Sequence, residues 1–295
     1  MNGILLVNKE KDYTSRDVVN IISKEFKTKK VGHTGTLDPL ATGVLVITIG
    51  SATKISELLT ATYKEYIAEV TLGIKTDTLD ITGSILEKKE INLDKEKLIN
   101  VLNSFNKKYL QEVPLYSAVK VDGKKLYEYA RNNEEVELPK KEVEIKNIEL
   151  LEYHENKFKF KCLVSKGTYI RSLINDICNE LNVIGTMSNL ERTKQGIYKI
   201  EDSYTLEEIK NNKYKLIDIK ESLNKYLQIK VDDYIEKKIN NGCILENRYN
   251  KDIIVFINKE EKVIGIYKIY DKDKTKIKPW KIINWFSFFF YNKML

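Results

Sequence analysis

The segment Gly32-His33-Thr34-Gly35-Thr36-Leu37-Asp38-Pro39-Leu40-Ala41-Thr42-Gly43, followed at once by the β-branched run of residues 44–49, constrains the fold most. Its glycines, proline and small polar residues suit neither helix nor strand; they make a loop whose backbone can approach a ligand closely. The apolar run behind it lacks polar alternation, as expected of a central strand covered on both faces. Asp38 therefore stands on a tight loop anchored to a rigid strand, the placement a catalytic group needs. By itself, an aspartate there also suits a surface turn in which it only bonds backbone amides.

The remaining elements read from periodicity. Residues 4–7 form a buried strand, and a helix starts near Thr14 or Ser15, whose hydroxyls can cap it, with Val18, Ile22 and Phe26 on one face. Ser51 is expected to cap a helix carrying Ile55, Leu58 and Leu59. Tyr66, Ala68, Val70 and Leu72 alternate with less apolar neighbours, the pattern of a half-buried strand. A helix is predicted over 94–105, a turn at Asp122-Gly123 between strand-like residues, an antiparallel pair over 143–153 and 157–165, and a helix over 169–181. Residues 201–227 read as helix plus connector. Residues 253–257 and 262–270 read as strands of a small β unit.

Composition limits the function classes. With 42% hydrophobic and 32% charged residues in 295, the chain reads as a soluble globular protein. Lys and Arg number 50 against 43 Asp and Glu, a net charge of +7 that suits a polyanionic partner. Cys162, Cys178 and Cys243 are dispersed and accompanied only by His33 and His154, so no zinc site, metal or cofactor motif is expected. Unpaired thiols and the absence of a secretory leader pattern point to the cytoplasm. The longest apolar stretch, residues 285–291, is far shorter than a membrane span.

Several motifs then stand in one order. Gly3-Ile4-Leu5-Leu6-Val7-Asn8-Lys9 with Thr14-Ser15 precedes the Asp38 segment. Lys64-Glu65-Tyr66 follows, continuing into Gly73-Ile74-Lys75-Thr76-Asp77-Thr78 and Asp80-Ile81-Thr82-Gly83. Next come Pro114-Leu115-Tyr116-Ser117-Ala118-Val119-Lys120 with Gly123, Tyr127 and Ala130-Arg131, then Ser165-Lys166-Gly167-Thr168-Tyr169-Ile170-Arg171, and finally Gly185, Leu190 and Arg192-Thr193. Over roughly residues 3–200 this series resembles the TruB-type tRNA pseudouridine synthases, bacterial stand-alone type. The resemblance implies an α+β fold: a bent, mixed, largely antiparallel sheet with flanking helices. It implies a catalytic domain over 1–225 with an RNA-gripping arm at about 107–142. Residues 226–284 resemble more weakly a PUA-like RNA-binding module, a small β pseudo-barrel. The tail 285–295 has no assigned role.

The implied reaction converts uridine 55 of the tRNA T loop to pseudouridine. The bond from C1′ to N1 breaks, the base rotates, and it rejoins through C5. In this reading Asp38 is the essential carboxylate and a plausible nucleophile. Attack on the sugar, attack on the base, and proton removal from C2′ all remain open to it. Arg171 would steady and aim Asp38, and Tyr66 would stack on the extruded uracil. The resemblance places Tyr169 and Leu190 in the pocket walls and gives His33 an RNA contact at the space left by the flipped nucleotide. Lys9, Lys120 and Arg131 are counted with the substrate-binding residues. The partner is the tRNA T arm, with no membrane, no obligate protein partner and a monomeric state expected.

Some positions depart from the family pattern: Glu10 and Asp12 replace a usual proline and glycine, Val113 a proline, Asn132-Asn133 a glycine turn, and Lys141 an arginine. None is Asp38, Tyr66 or Arg171. Two alternatives are weighed against this reading, a guide-RNA-dependent relative working inside a multiprotein particle and a non-catalytic tRNA-folding chaperone. The arm-like residues 120–139 argue against the first, and the intact Asp38, Tyr66 and Arg171 argue against the second.

Overall fold

A computed structural model describes residues 1–60 and 63–283. The aromatic tail singled out at residues 285–295 lies outside the described residues. Strand β1 (Gly3–Lys9) leads into helix α1 (Ser15–Glu25), closed by a capping box in which the Asp17 amide donates to the Thr14 hydroxyl and the Thr14 amide to the Asp17 carboxylate. Strands β2 (Val31–His33) and β3 (Thr42–Ile49) flank the glycine-rich loop. The expectation that all of residues 32–43 is loop is thus corrected at both ends, since Gly32 and His33 pair with Thr48 and Ile47, and Thr42 and Gly43 already open β3. Ser51 caps no helix. It lies inside a 3-10 segment, Gly50–Ile55, and only α2 (Ser56–Leu59) is α-helical there.

The chain continues through β4 (Tyr63–Leu72), β5 (Ile74–Thr76), β6 (Ile85–Lys88), α3 (Lys95–Ser104), β7 (Lys108–Glu112), β8 (Lys120–Val121), β9 (Lys124–Lys125) and α4 (Leu126–Arg131). Asp122 and Gly123 turn between β8 and β9 with φ of 49° and 83°. After them come β10 (Lys140–His154), β11 (Lys157–Ser165), α5 (Ile170–Leu181), β12 (Gly185–Gln195) and β13 (Tyr198–Lys199). One nine-stranded sheet runs in the order β1-β3-β12-β4-β11-β10-β7, with β2 beside β3 and β13 beside β12. Its pairings are antiparallel except β3 with β12, giving the mixed, largely antiparallel sheet expected.

The alternation of side chains divides the core between two faces. Leu5, Val7, Leu45, Ile47, Tyr66, Ala68 and Val70 face a cluster with Val18 and Ile22 of α1, Leu98 and Leu102 of α3, and Leu173, Ile174 and Ile177 of α5. Ile4, Leu6, Val44 and Val46 point the other way. This second face accounts for the unbroken apolar run of β3, because it is also covered.

The cover comes from the C-terminal region. After α6 (Leu206–Lys210) and α7 (Ile219–Ser222) come β14 (Leu227–Lys230), α8 (Asp233–Asn240), β15 (Leu245–Glu246), β16 (Ile253–Ile257), β17 (Val263–Ile269) and β18 (Lys276–Ile282). The strands form a five-stranded half-barrel sheet, β14-β16-β17-β18-β15. Val255, Ile257, Val263 and Ile266 share one buried cluster with Ile4, Leu6, Val44 and Val46, and Lys54 Nζ donates to the Ile282 carbonyl at 2.7 Å. No helix among the described residues is long and apolar enough to cross a membrane.

Candidate active site

The Asp38 loop is fixed from several directions. Ser15, at the start of α1, accepts from the Leu37 amide at 2.8 Å and donates to the Leu37 carbonyl at 3.0 Å. Leu37 and Leu40 are buried on either side of Asp38 and anchor the loop in the core. Arg192, fully buried on β12, donates Nε to the Val44 carbonyl at 2.8 Å, Nη2 to Gly35 at 3.0 Å and Nη1 to Thr36 at 3.3 Å. A guanidinium with its donors on carbonyls is the rigid fork that such a loop needs, and lysine could not reproduce it.

Asp38 meets Arg171 across this arrangement. Arg171 Nε lies 3.0 Å from Asp38 Oδ2, while Nη1 and Nη2 donate to the Thr78 and Tyr116 carbonyls, each at 3.1 Å. The Arg171 side chain is 7% exposed and that of Asp38 37%. The guanidinium is thus held by protein on three sides, while the carboxylate is partly exposed. Asp38 Oδ1 has no protein partner among the described residues. A charge-assisted pair to one oxygen leaves the other free to accept a further partner.

Tyr66 is buried on β4, with Arg192 in register on β12. Burial pushes its phenol above the ordinary tyrosine value, Arg192 pulls the other way, and the Asp38 charge also reaches it. Tyr169 stands at the N-cap of α5, the helix predicted over 169–181, with Ile170 the first helical residue. Gln111 holds it there, accepting from the Tyr169 amide at 2.8 Å and donating to its carbonyl at 3.2 Å. Burial raises its phenol too, and Arg171 and Asp38 are both close enough to act on it. Leu190 is buried in the same cluster as Tyr66, Leu37 and Leu40. Asp38, Arg171, Tyr66 and Tyr169 therefore converge, although 133 residues separate Asp38 from Arg171.

The sequence and the fold have known counterparts. The model of the TruB family pseudouridylate synthase N-terminal domain matches residues 23–170, and that of the tRNA pseudouridylate synthase B C-terminal domain matches residues 171–232. The chain belongs to the TruB family of tRNA pseudouridine synthases. It is 44% identical over 303 residues to tRNA pseudouridine synthase B of Staphylococcus aureus (strain MSSA476), covering 96% of this chain and 99% of that one. The enzyme of the same name from Clostridium tetani is 42% identical, covering 93% of each. Two solved structures share the fold: an H/ACA RNP bound to a substrate RNA containing 2′-deoxyuridine (TM-score 0.70, 22% identity, 97% of this chain and 87% of that one) and a Cbf5-Nop10-Gar1 complex (TM-score 0.71, 23% identity, 95% and 84%). Family membership makes the chain an RNA-modifying isomerase.

The other expected residues of this TruB-family chain lie differently. Lys9 is fully buried and donates from Nζ to the carbonyls of Tyr13 at 2.6 Å, Glu10 at 2.8 Å and Pro39 at 3.2 Å. Burial pulls its ammonium down to about 8, against the opposing charges of Asp12 and Asp38. With three protein acceptors, Lys9 braces the loop rather than facing RNA. Asp12, at a usual glycine position, adopts φ 70° and donates its amide to Pro39, and Asn133 takes the left-handed region at φ 53°. His33 stands on β2 with Nδ1 buried and unpartnered. Burial, with Arg16, Arg192 and Lys64 nearby, lowers its basicity. Lys120 and Arg131 are exposed on the arm, Arg131 lying 5.3 Å from the Tyr127 ring centre. Arg192 and Lys64 were not singled out from sequence for roles, although both stand inside quoted motifs.

Proposed function

We propose that the chain converts uridine 55 of the tRNA T loop to pseudouridine, acting on a flipped-out nucleotide without an obligate protein partner, in the cytoplasm. The observation that carries this reading is the Asp38–Arg171 pair at 3.0 Å, with the carboxylate partly exposed and Tyr66 and Tyr169 close enough to feel its charge. A uridine in a folded loop is inaccessible, and extruding it costs a few kcal/mol of unstacking. The Tyr66 and Tyr169 rings offer faces that offset part of that cost. Asp38 then acts where the C1′–N1 bond breaks, and Arg171 keeps its geometry unchanged while charge moves. The detached uracil then turns and rejoins through C5.

The stand-alone reading is supported by near-full-length similarity to bacterial enzymes named for tRNA. It is tested by incubating the purified chain alone with an unmodified tRNA transcript and mapping pseudouridine by position. One pseudouridine at position 55 is the expected result. Modification elsewhere, or only after a guide RNA and accessory proteins are added, would overturn it.

A further inference from the structure

Lys64 and Tyr66 point to the same face of β4, because alternate residues of a strand share a face. On β12, Gln195 lies in register with Lys64, and Arg192 with Tyr66. A methyl group built on Gly35 would sit 3.2 Å from Lys64 Nζ, 3.2 Å from Gln195 Oε1 and 3.4 Å from Arg192 Nη1. Three head groups thus converge on the turn just before Asp38.

The protein leaves this point unsatisfied. Lys64 Nζ has no hydrogen bond and no ion pair among the described residues. Gln195 is fully buried, donates its amide group to the Thr34 hydroxyl, and keeps Oε1 unpartnered, as His33 Nδ1 is nearby. The charges that act on Lys64 are those of Arg192, Lys166 and Lys141, all cationic; burial first, and then this repulsion, pulls its ammonium down to about 8. Lys141 lies across Gly167, which has no side chain to keep it away. Clustered cations without a counter-charge are unfavourable in a folded chain, and such arrangements concentrate where a ligand brings the opposite charge.

We propose that Lys64, flanked by Lys166 and Lys141, binds a phosphodiester group of the RNA strand at the nucleotide entering the cleft. The assignment rests on the RNA-modifying reading above. An ammonium is a point-charge ligand for phosphate, and one seated beside Tyr66 would fix the backbone while the base stacks. Lys9, fully buried and saturated with carbonyls, does not compete for this role.

The test measures binding of an unmodified tRNA transcript, and of T-arm RNAs with single methylphosphonate linkages, to the wild-type chain, Lys64→Met and Lys64→Arg. The slope of log affinity against log salt should be smaller in Lys64→Met by about 0.7 to 0.9, one phosphate contact. One methylphosphonate should weaken wild-type and Lys64→Arg binding by about tenfold and leave Lys64→Met unaffected. Lys64→Met should melt no lower than wild type, since it removes an uncompensated buried cation. An unchanged salt slope, or a Lys64→Met variant that responds to every methylphosphonate as the wild type does, would overturn the proposal. So would weaker binding explained by a lower melting temperature alone. Pseudouridine formation is scored separately on the same RNAs, so a wild type that binds without modifying would sink the reaction and not the contact.

Discussion

At the scale of single residues, the site separates groups that hold from groups that act. Arg171 does both, pairing with Asp38 while bonding the Thr78 and Tyr116 carbonyls. Arg171→Met should lower the single-turnover rate by about a hundredfold or more, the usual loss of a preorganised donor. It should also lower the melting temperature, because two carbonyls and a carboxylate lose their partner. Lys64 gives a pH signature. Its ammonium, facing Arg192, Lys166, Lys141 and His33, loses its proton near pH 8 in the free enzyme, so its contribution to tRNA affinity is complete below that pH and fades as pH rises through it. Affinity measured from pH 7 to 9.5 should fall more steeply for wild type than for Lys64→Met. Much of this scale was legible in the sequence: the residue types and order around Asp38, Tyr66 and Arg171 were enough to name them. The structure then brings Arg171 to Asp38. Arg192, Lys64 and Gln195 were not singled out because their meaning depends on the β4–β12 register, a pairing of positions more than 120 residues apart that no local pattern encodes. Lys9 stood out as a motif lysine, but a sequence does not reveal that carbonyls, not phosphates, surround it.

At the scale of elements, the loop–strand junction is the decisive construction. Gly43 adopts φ 100° where β3 leaves the loop, and a Cβ there would strike the Arg192 backbone oxygen and stand 2.7 Å from its amide nitrogen. Gly43→Ala should therefore destabilise the chain by about 3 kcal/mol or more, combining left-handed strain with loss of the β3–β12 contact. Thermal unfolding followed by circular dichroism measures it. Long periodic elements were readable. Helix α1 begins after its Thr14 cap, α3 after Asp94, and the β10–β11 pair falls where alternation places it. The short ones were not. β2 is three residues held by neighbours rather than by propensity, and the 3-10 segment at Ser51 follows from Gly50 at φ 64°, which bends the chain where a helix cap was expected.

At the scale of the whole molecule, the C-terminal sheet is more than an appendage. Ile4 and Leu6 of β1 and Val44 and Val46 of β3, the strand that follows the Asp38 loop, are covered by Val255, Ile257, Val263 and Ile266. A chain ending at residue 225 should expose that face, aggregate and melt well below the full-length protein, and light scattering with a thermal ramp would register both. The same burial ties the placement of the Asp38 loop to a sheet more than 200 residues away in sequence. The unbroken apolar run of β3 foretold a covered second face, but not what would cover it. In the reading proposed above, this architecture serves one carboxylate. The most direct measurement compares wild type with Asp38→Asn, under single turnover with excess enzyme, for pseudouridine formed in a tRNA transcript and for tRNA affinity. The expected result is no pseudouridine from Asp38→Asn, with affinity within a few-fold of wild type; modification at a comparable rate by the variant would contradict the central role given to Asp38.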